Sequence, residues 1–431
     1  MSFLDPSQRK QVLAWALYDW GNSAFSTAII AGFFPVFFKQ YWSVDTDVTA
    51  STFRLGLANS LGSLAVLAMA PILGAIADQG ALKKQFLLVF AVIGIAATAG
   101  MFPIGRGEWQ WAVTLYVTGG IGFAAANIFY DALIIDVTHR RHLDMVSAFG
   151  FALGYLGGGL LFGLCVIMTL WPPLFGLSDA SQAVRTSFLV TALWWGLFSI
   201  PLFRYVQERP PAGPTEFKRA MIGGFHQLRD TWRKIRQFRP VLIFLVAYWL
   251  YIDAVDTVVR MAVDYGLALG FTAQHLITAL LLTQFVGFPA ALAFGWLGER
   301  LGPRTGILIG LIAYMGITIW GYFLEHVWEF YGLAIAIGLV QGGVQSLSRS
   351  LYARLIPAQA AGEFFGFYNL LGKFAAVIGP VLMGWVAVVS GSTRISILSL
   401  LVLFIAGASI LLFVDKNAIL PIDPGSSNPH V

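Results

Sequence analysis

Apolar residues along this chain come in long, uninterrupted blocks, without the three-and-four spacing of an amphipathic helix or the alternation of a half-buried strand. Twelve such blocks, at approximately 12–38, 53–77, 86–104, 111–135, 145–171, 186–206, 241–264, 274–298, 305–324, 328–348, 364–390 and 394–414, are separated by short breaks carrying charge, proline or glycine. A hydrocarbon core about 30 Å thick takes about 20 helical residues to cross, and only a helix satisfies its own backbone in lipid. The pattern therefore predicts an all-α membrane protein with twelve transmembrane helices. The first block follows Arg9 and Lys10, as a signal peptide would, but it is too long for such a segment and lacks a small-x-small cleavage pattern, so it reads as a retained helix.

The longest polar segment, Gln207 to Pro240, falls between blocks six and seven and opens with ERPPAGP, which cannot be helical throughout. It divides the chain into a six-helix half (1–206), a linker (207–240), a second six-helix half (241–415) and a tail (416–431). Within the linker, Phe217, Met221, Phe225, Leu228, Trp232 and Ile235 recur at steps of three or four, with Lys218, Arg219, Arg229, Arg233 and Lys234 on other faces. This predicts a basic amphipathic helix lying on the inner leaflet, with a solvated basic linker as the alternative. The halves echo each other. GAIADQGALKK (Gly74, Asp78, Lys83) ends block two, and GWLGERLGPR (Gly295, Glu299, Arg300, Arg304) ends block eight. LYDWGNS in block one is matched more loosely by LYIDAVD in block seven. Parallel repeats of this kind build many secondary transporters.

Composition sharpens the picture: 58% of the 431 residues are hydrophobic and 11% charged. The net charge of +5 would suit nucleic acid, but the placement of the bases argues for membrane topology instead. With the N-terminus inside, inner loops and termini hold 20 of the 27 Lys and Arg; outer loops hold Lys39, Arg54, Arg106, Arg185 and Arg394, and Arg260 and Lys373 lie within blocks. That bias puts both termini in the cytoplasm, with a bacterial inner membrane as the expected site. The lone Cys165 permits no intrachain disulfide.

Ionisable groups at bilayer depth are costly, by about 2.5–3.5 kcal/mol on insertion scales, and so mark function. Block one carries Asp19 and Asn22, block four Asn127, Tyr130, Asp131 and, at its inner end, Asp136; block seven carries Tyr248, Asp253, Asp256, Arg260 and Asp264, and block ten Gln341, Gln345 and, at its end, Arg349. Blocks three, six, nine and twelve have uncharged interiors, so spans one, four, seven and ten are expected to face a wet cavity. Asp253, Asp256, Arg260 and Asp264 follow at spacings of three, four and four, on one helical face, where Asp256 and Arg260 can pair, either as part of a solute path or as a static ion network. Asp19 is open to two readings, a proton carrier or a carboxylate hydrogen-bonded to a neighbouring helix. Lys373, about 15 Å into block eleven, cannot reach either surface, so it pairs with an acid across the cavity or meets solute. GYLGGG, Gly154 to Gly159, suits close helix packing. The acids Asp253 and Asp256 superficially suit magnesium-dependent membrane enzymes, but Arg260 one turn on would repel the cation. No zinc spacing, nucleophile elbow or nucleotide loop is present, so neither enzyme activity, metal nor cofactor is expected.

The paired Gly-x-x-x-acid loops and the six-plus-six count resemble the major facilitator superfamily, whose loop between helices two and three carries Gly-x-x-x-Asp-Arg-x-Gly-Arg-Arg. The second copy fits, with Glu299 for Asp; the first departs, with Gln79 for Arg and its glycine one residue early, at Gly80. YDWGNSAF, SAFGFALGYLGGGLLF and the stretch from QGGVQSLSRSLYARLIP to EFFGFYNLLGKFAAVIGP resemble the superfamily branch of autophagy-linked vacuole effluxers and their bacterial relatives, along nearly the whole chain. The resemblance implies two six-helix halves, a central cavity lined by spans one, four, seven and ten, and, in fungal members, amino-acid efflux. The expectation is a monomeric secondary transporter of a small polar or zwitterionic solute, working by alternating access with protons. Export of drugs or lipid-like amphiphiles, and a non-transporting sensor, are the alternatives.

Overall fold

The computed structural model describes residues 5–44, 48–209, 238–268, 270–374 and 378–415. The predicted linker helix at 217–235 and the tail lie outside these residues. Twelve spans form two six-helix halves. We number them α1 (Pro6–Trp42), α2 (Val48–Gly80), α3 (Lys83–Gly100), α4 (Trp109–Val137), α5 (Leu143–Leu170), α6 (Ala180–Tyr205), α7 (Arg239–Ala268), α8 (Ala273–Leu301), α9 (Pro303–Tyr322), α10 (Val327–Leu355), α11 and α12. Ten helices among the described residues are long and apolar enough to cross a membrane, and Arg54–Ala70 of α2 and Ile378–Ser390 of α11 are shorter apolar stretches.

Block eleven, α11, is described as helix over Ala361–Phe374 and Ile378–Ser390, and α12 covers Thr393–Leu398 and Leu400–Leu411. Two spans, α4 and α12, are each interrupted at one residue, Leu133 and Ser399, where the apolar pattern predicts a single helix. In α1, Phe25–Phe33 and Phe38–Trp42 are wound as π-helix, a form that clusters at functional sites and has no signature in hydropathy.

One face of the bundle carries the start of α1, the end of α12 and both ends of the connection between halves; we call it the base. The halves meet where α5 packs on α8 and α10, and where α2 packs on Ala361–Phe374 of α11. Small residues permit this approach. A Cβ on Gly74 would lie 2.2 Å from the Gly362 carbonyl oxygen, and one on Gly295 would lie 2.5 Å from the Ala148 Cβ. In GYLGGG, Gly154, Gly157 and Gly158 face α1 while the Tyr155 ring sits against Gly287 and Gly342 of the other half.

The duplicated loops keep a common backbone feature despite their different glycines. Gly302 has φ +84°, and Ala81, seven residues after Gly74 as Gly302 is after Gly295, has φ +49°. An L-residue with a Cβ is strained there by roughly 1–2 kcal/mol, so the displaced Gly80 leaves alanine in the conformation that suits glycine.

Candidate functional site

Between the halves lies a cavity of about 350 Å³, near the small end of the roughly 300–1,000 Å³ of ligand pockets. Its walls carry Asp19, Asn22, Ser23, Ser26 and Thr27 of α1, Asn127, Tyr130 and Asp131 of α4, Tyr248 and Asp256 of α7, Gln341, Gln345 and Arg349 of α10, and Tyr368 and Asn369 of α11. Phe123, Phe151, Tyr155 and Gln284 also line it, with Gly154, Ile252 and Gly372. Polar residues on α1, α4, α7 and α10 thus converge on one space, which is what makes burying them tolerable.

The Asp19 carboxylate accepts from the Ser23 hydroxyl at 2.9 Å and the Tyr130 hydroxyl at 3.2 Å. Both are neutral donors, so the group keeps a negative charge on the wall or a proton in its place. Asn22 donates to the Asn127 side chain at 2.6 Å, tying α1 to α4. Trp15 stacks on Tyr130 with ring centroids 4.5 Å apart and donates to its carbonyl, which fixes the tyrosine beneath Asp19.

Asp131 is held differently. It accepts from the Arg349 guanidinium at 2.9 Å and from Asn369 at 3.1 Å, both on the other half. Arg349 also donates to the Ser147 hydroxyl and carbonyl, each at 2.9 Å, and lies against the faces of Trp15, Tyr130 and Phe151. Only 2% of its side chain is exposed. The positive-inside reading counts Arg349 among loop residues, but the helix continues to Leu355 and carries it into the cavity wall. It is the cavity residue that sequence reasoning undervalued; its position at the inner end of a polar block was the available signal.

Closer to the base, two further contacts join the halves. Asp144 of α5 accepts from Arg354 at 2.8 Å and Ser350 at 2.6 Å, both on α10. Asp78 accepts from the backbone N–H groups of Gly362 and Glu363, each at 2.8 Å, satisfying orphan donors in the first turn of α11. Lys83 lies 3.8 Å from Asp78 and 3.1 Å from Asp136. In the second loop Glu299 lies 3.6 Å from His142 just before α5, Arg300 covers Trp296, and Arg304 donates to the Val414 carbonyl just beyond α12. The cavity is therefore closed at the base by layers of inter-half ion pairs and helix caps.

The α7 acids separate. Asp256 lines the cavity, whereas Asp253, fully buried, accepts from the N–H groups of Ile378 and Gly379 on α11 and from the Thr257 hydroxyl. Three residues turn a helix by about 300°, enough to aim the first at α11 and the second at the cavity. The side chains of Arg260, Asp264 and Lys373 lie outside the described residues, and no metal-holding cluster of His, Cys, Asp and Glu occurs among those described.

Two six-helix halves around a central polar cavity define a transporter of the major facilitator class. Solved structures with this fold include the human organic anion transporter MFSD10 (TM-score 0.70, 14% identity, 95% of this chain and 100% of that one) and the proton:xylose symporter XylE (TM-score 0.68, 14% identity, 95% of each chain). Within that class the chain belongs to the vacuole effluxer Atg22-like family, whose profile matches residues 43–418. The MFS-type transporter YxiO of Bacillus subtilis is 39% identical over 95% of both chains, and autophagy-related protein 22 of Kluyveromyces lactis is 22% identical over 89% of both.

Proposed function

We propose that this transporter carries a small polar or zwitterionic solute, such as an amino acid or short peptide, by alternating access. One observation supports this most: the cavity presents both signs of charge, Asp19 and Asp256 on one side of the balance and Arg349 beside Asp131 on the other, among amide and phenol groups. Such a wall matches a solute bearing ammonium and carboxylate. An amphiphile's apolar body would occupy this polar space without offering it hydrogen bonds or charge. The arrangement fits a state closed at the base, with the opposite state reached by breaking the inter-half pairs.

On this reading the base faces the cytoplasm of a bacterial cell, as the positive charges there suggest, and the chain works as a monomer in the plasma membrane. The halves are 1–206 and 241–415, joined by a basic linker that rests on the inner leaflet. Asp19, held by neutral hydroxyls, takes and releases a proton and couples transport to a proton gradient.

A thermal-stabilisation screen of the purified protein tests the substrate class. A ligand at a hundred times its Kd adds about 2.7 kcal/mol. Amino acids or short peptides should raise the melting temperature, and Asp19→Asn should weaken that rise. Stabilisation by amphiphiles alone would refute the reading.

A further inference from the structure

The first loop lacks the arginine that follows the acid in the superfamily pattern, since Gln79 stands there. A guanidinium nonetheless reaches the same network from elsewhere. Arg209, just beyond α6 and in the connection between the halves, places its Nε 3.5 Å from the Asp136 carboxylate and donates to the Ile135 carbonyl at 2.7 Å. Asp136, with 1% of its side chain exposed, is thus shared by Arg209 and Lys83, and Lys83 also faces Asp78, which caps α11. Polar contacts run without a gap from Arg209, through α4, α3 and α2, to the other half.

Glu208 does a second job beside it. The first turn of α3 has orphan N–H groups, and its N-cap residue Leu82 offers no side-chain acceptor. The two oxygens of Glu208 accept from the N–H groups of Lys83 and Lys84. Burial pushes the Glu208 carboxyl up from its usual range, while those amides and Lys83 act to lower it. Lys84 in turn donates to the Phe203 and Val206 carbonyls, at 3.0 and 2.6 Å, closing the C-terminal end of α6. The end of α6, the start of α3 and Glu208 are thereby one unit, built against the loop that closes the base.

We propose that Glu208 and Arg209 are positioning residues of the base closure, acting through Lys83 and Asp136 to hold Asp78 on α11, so that the residues just beyond α6 are part of the latch. Loss of either side chain would then loosen α11. The proposal rests on alternating access as read above.

The test uses the purified full-length chain carrying Ala361→Cys, a fully buried position at the start of α11, with native Cys165 kept as an internal reporter because it too is fully buried, away from the base. Thiol labelling is quantified separately at each site. Arg209→Gln and Glu208→Gln should each speed labelling at 361 by roughly threefold to fivefold, as expected for loss of a partly exposed pair, without speeding Cys165. Arg209→Lys, which keeps the charge, should stay within about twofold of the parent. A merely structural role would speed both sites together. Arg349→Gln serves as the reference opening. If it speeds labelling at 361 while Arg209→Gln and Glu208→Gln do not, the latch is overturned; if Arg349→Gln also fails, the base closure itself is.

Discussion

Asp131→Asn removes one charge from a buried pair and changes almost no volume. In the closed state the Arg349 guanidinium, 2% exposed, then keeps its two bonds to Ser147 but loses its counter-charge, and the new amide meets the Asn369 amide that now donates to Asp131. Removing one partner of a buried pair costs about 3–5 kcal/mol, and the surviving Ser147 bonds argue for the lower end, about 3 kcal/mol. Opening the base admits water to the guanidinium and relieves that cost, so the penalty falls on the closed state. At about 1.4 kcal/mol per factor of ten, the closed-to-open ratio should drop by roughly a hundredfold, with Asp144–Arg354 and the Asp78 cap still resisting. Labelling of Ala361→Cys reads the ratio directly, and Cys165 checks that the fold is intact. An unchanged rate at position 361, with a lowered melting temperature, would show that the pair stabilises the fold without governing access.

Other expectations follow from single contacts. Gly74→Ala places a methyl 2.2 Å from the Gly362 oxygen, a backbone atom that cannot step aside, so it should hold the base open, while Gly56→Ala, with nothing within 4 Å, should behave as wild type in the same labelling assay. Ala81→Gly relieves a left-handed alanine and should raise unfolding free energy by about 0.5–1 kcal/mol, read as a small rise in melting temperature; a fall would mean that the conformation is not strained. Asp19→Asn keeps the Ser23 and Tyr130 contacts sterically possible, so the variant should fold and exchange solute but fail to accumulate it under an imposed proton gradient. Full gradient-driven uptake by that variant would move the proton to Asp131 or Asp256.

The sequence reading located the spans because lipid imposes long apolar runs, and it located the cavity helices because charge is tolerated only where spans face water. It could not place Asp253 apart from Asp256, since both readings of that face satisfy the same spacing; only the bonds from the Ile378 and Gly379 N–H groups separate them. Arg349 with Asp131, and Arg209 with Asp136, join residues far apart in the chain, and no local rule reports such pairs. The π-helical turn through Ser26 and Thr27 was equally silent, because winding changes which residues face the cavity without changing their hydropathy.

Counterflow in reconstituted vesicles tests the central claim most directly. Vesicles preloaded with the unlabelled solute that most stabilises the purified protein should take up trace labelled solute transiently and saturably, and Arg349→Gln should abolish that uptake while leaving protein inserted in the vesicles. Binding of the solute without any exchange across the membrane by the wild-type chain would contradict the account and make this polar cavity a sensor site.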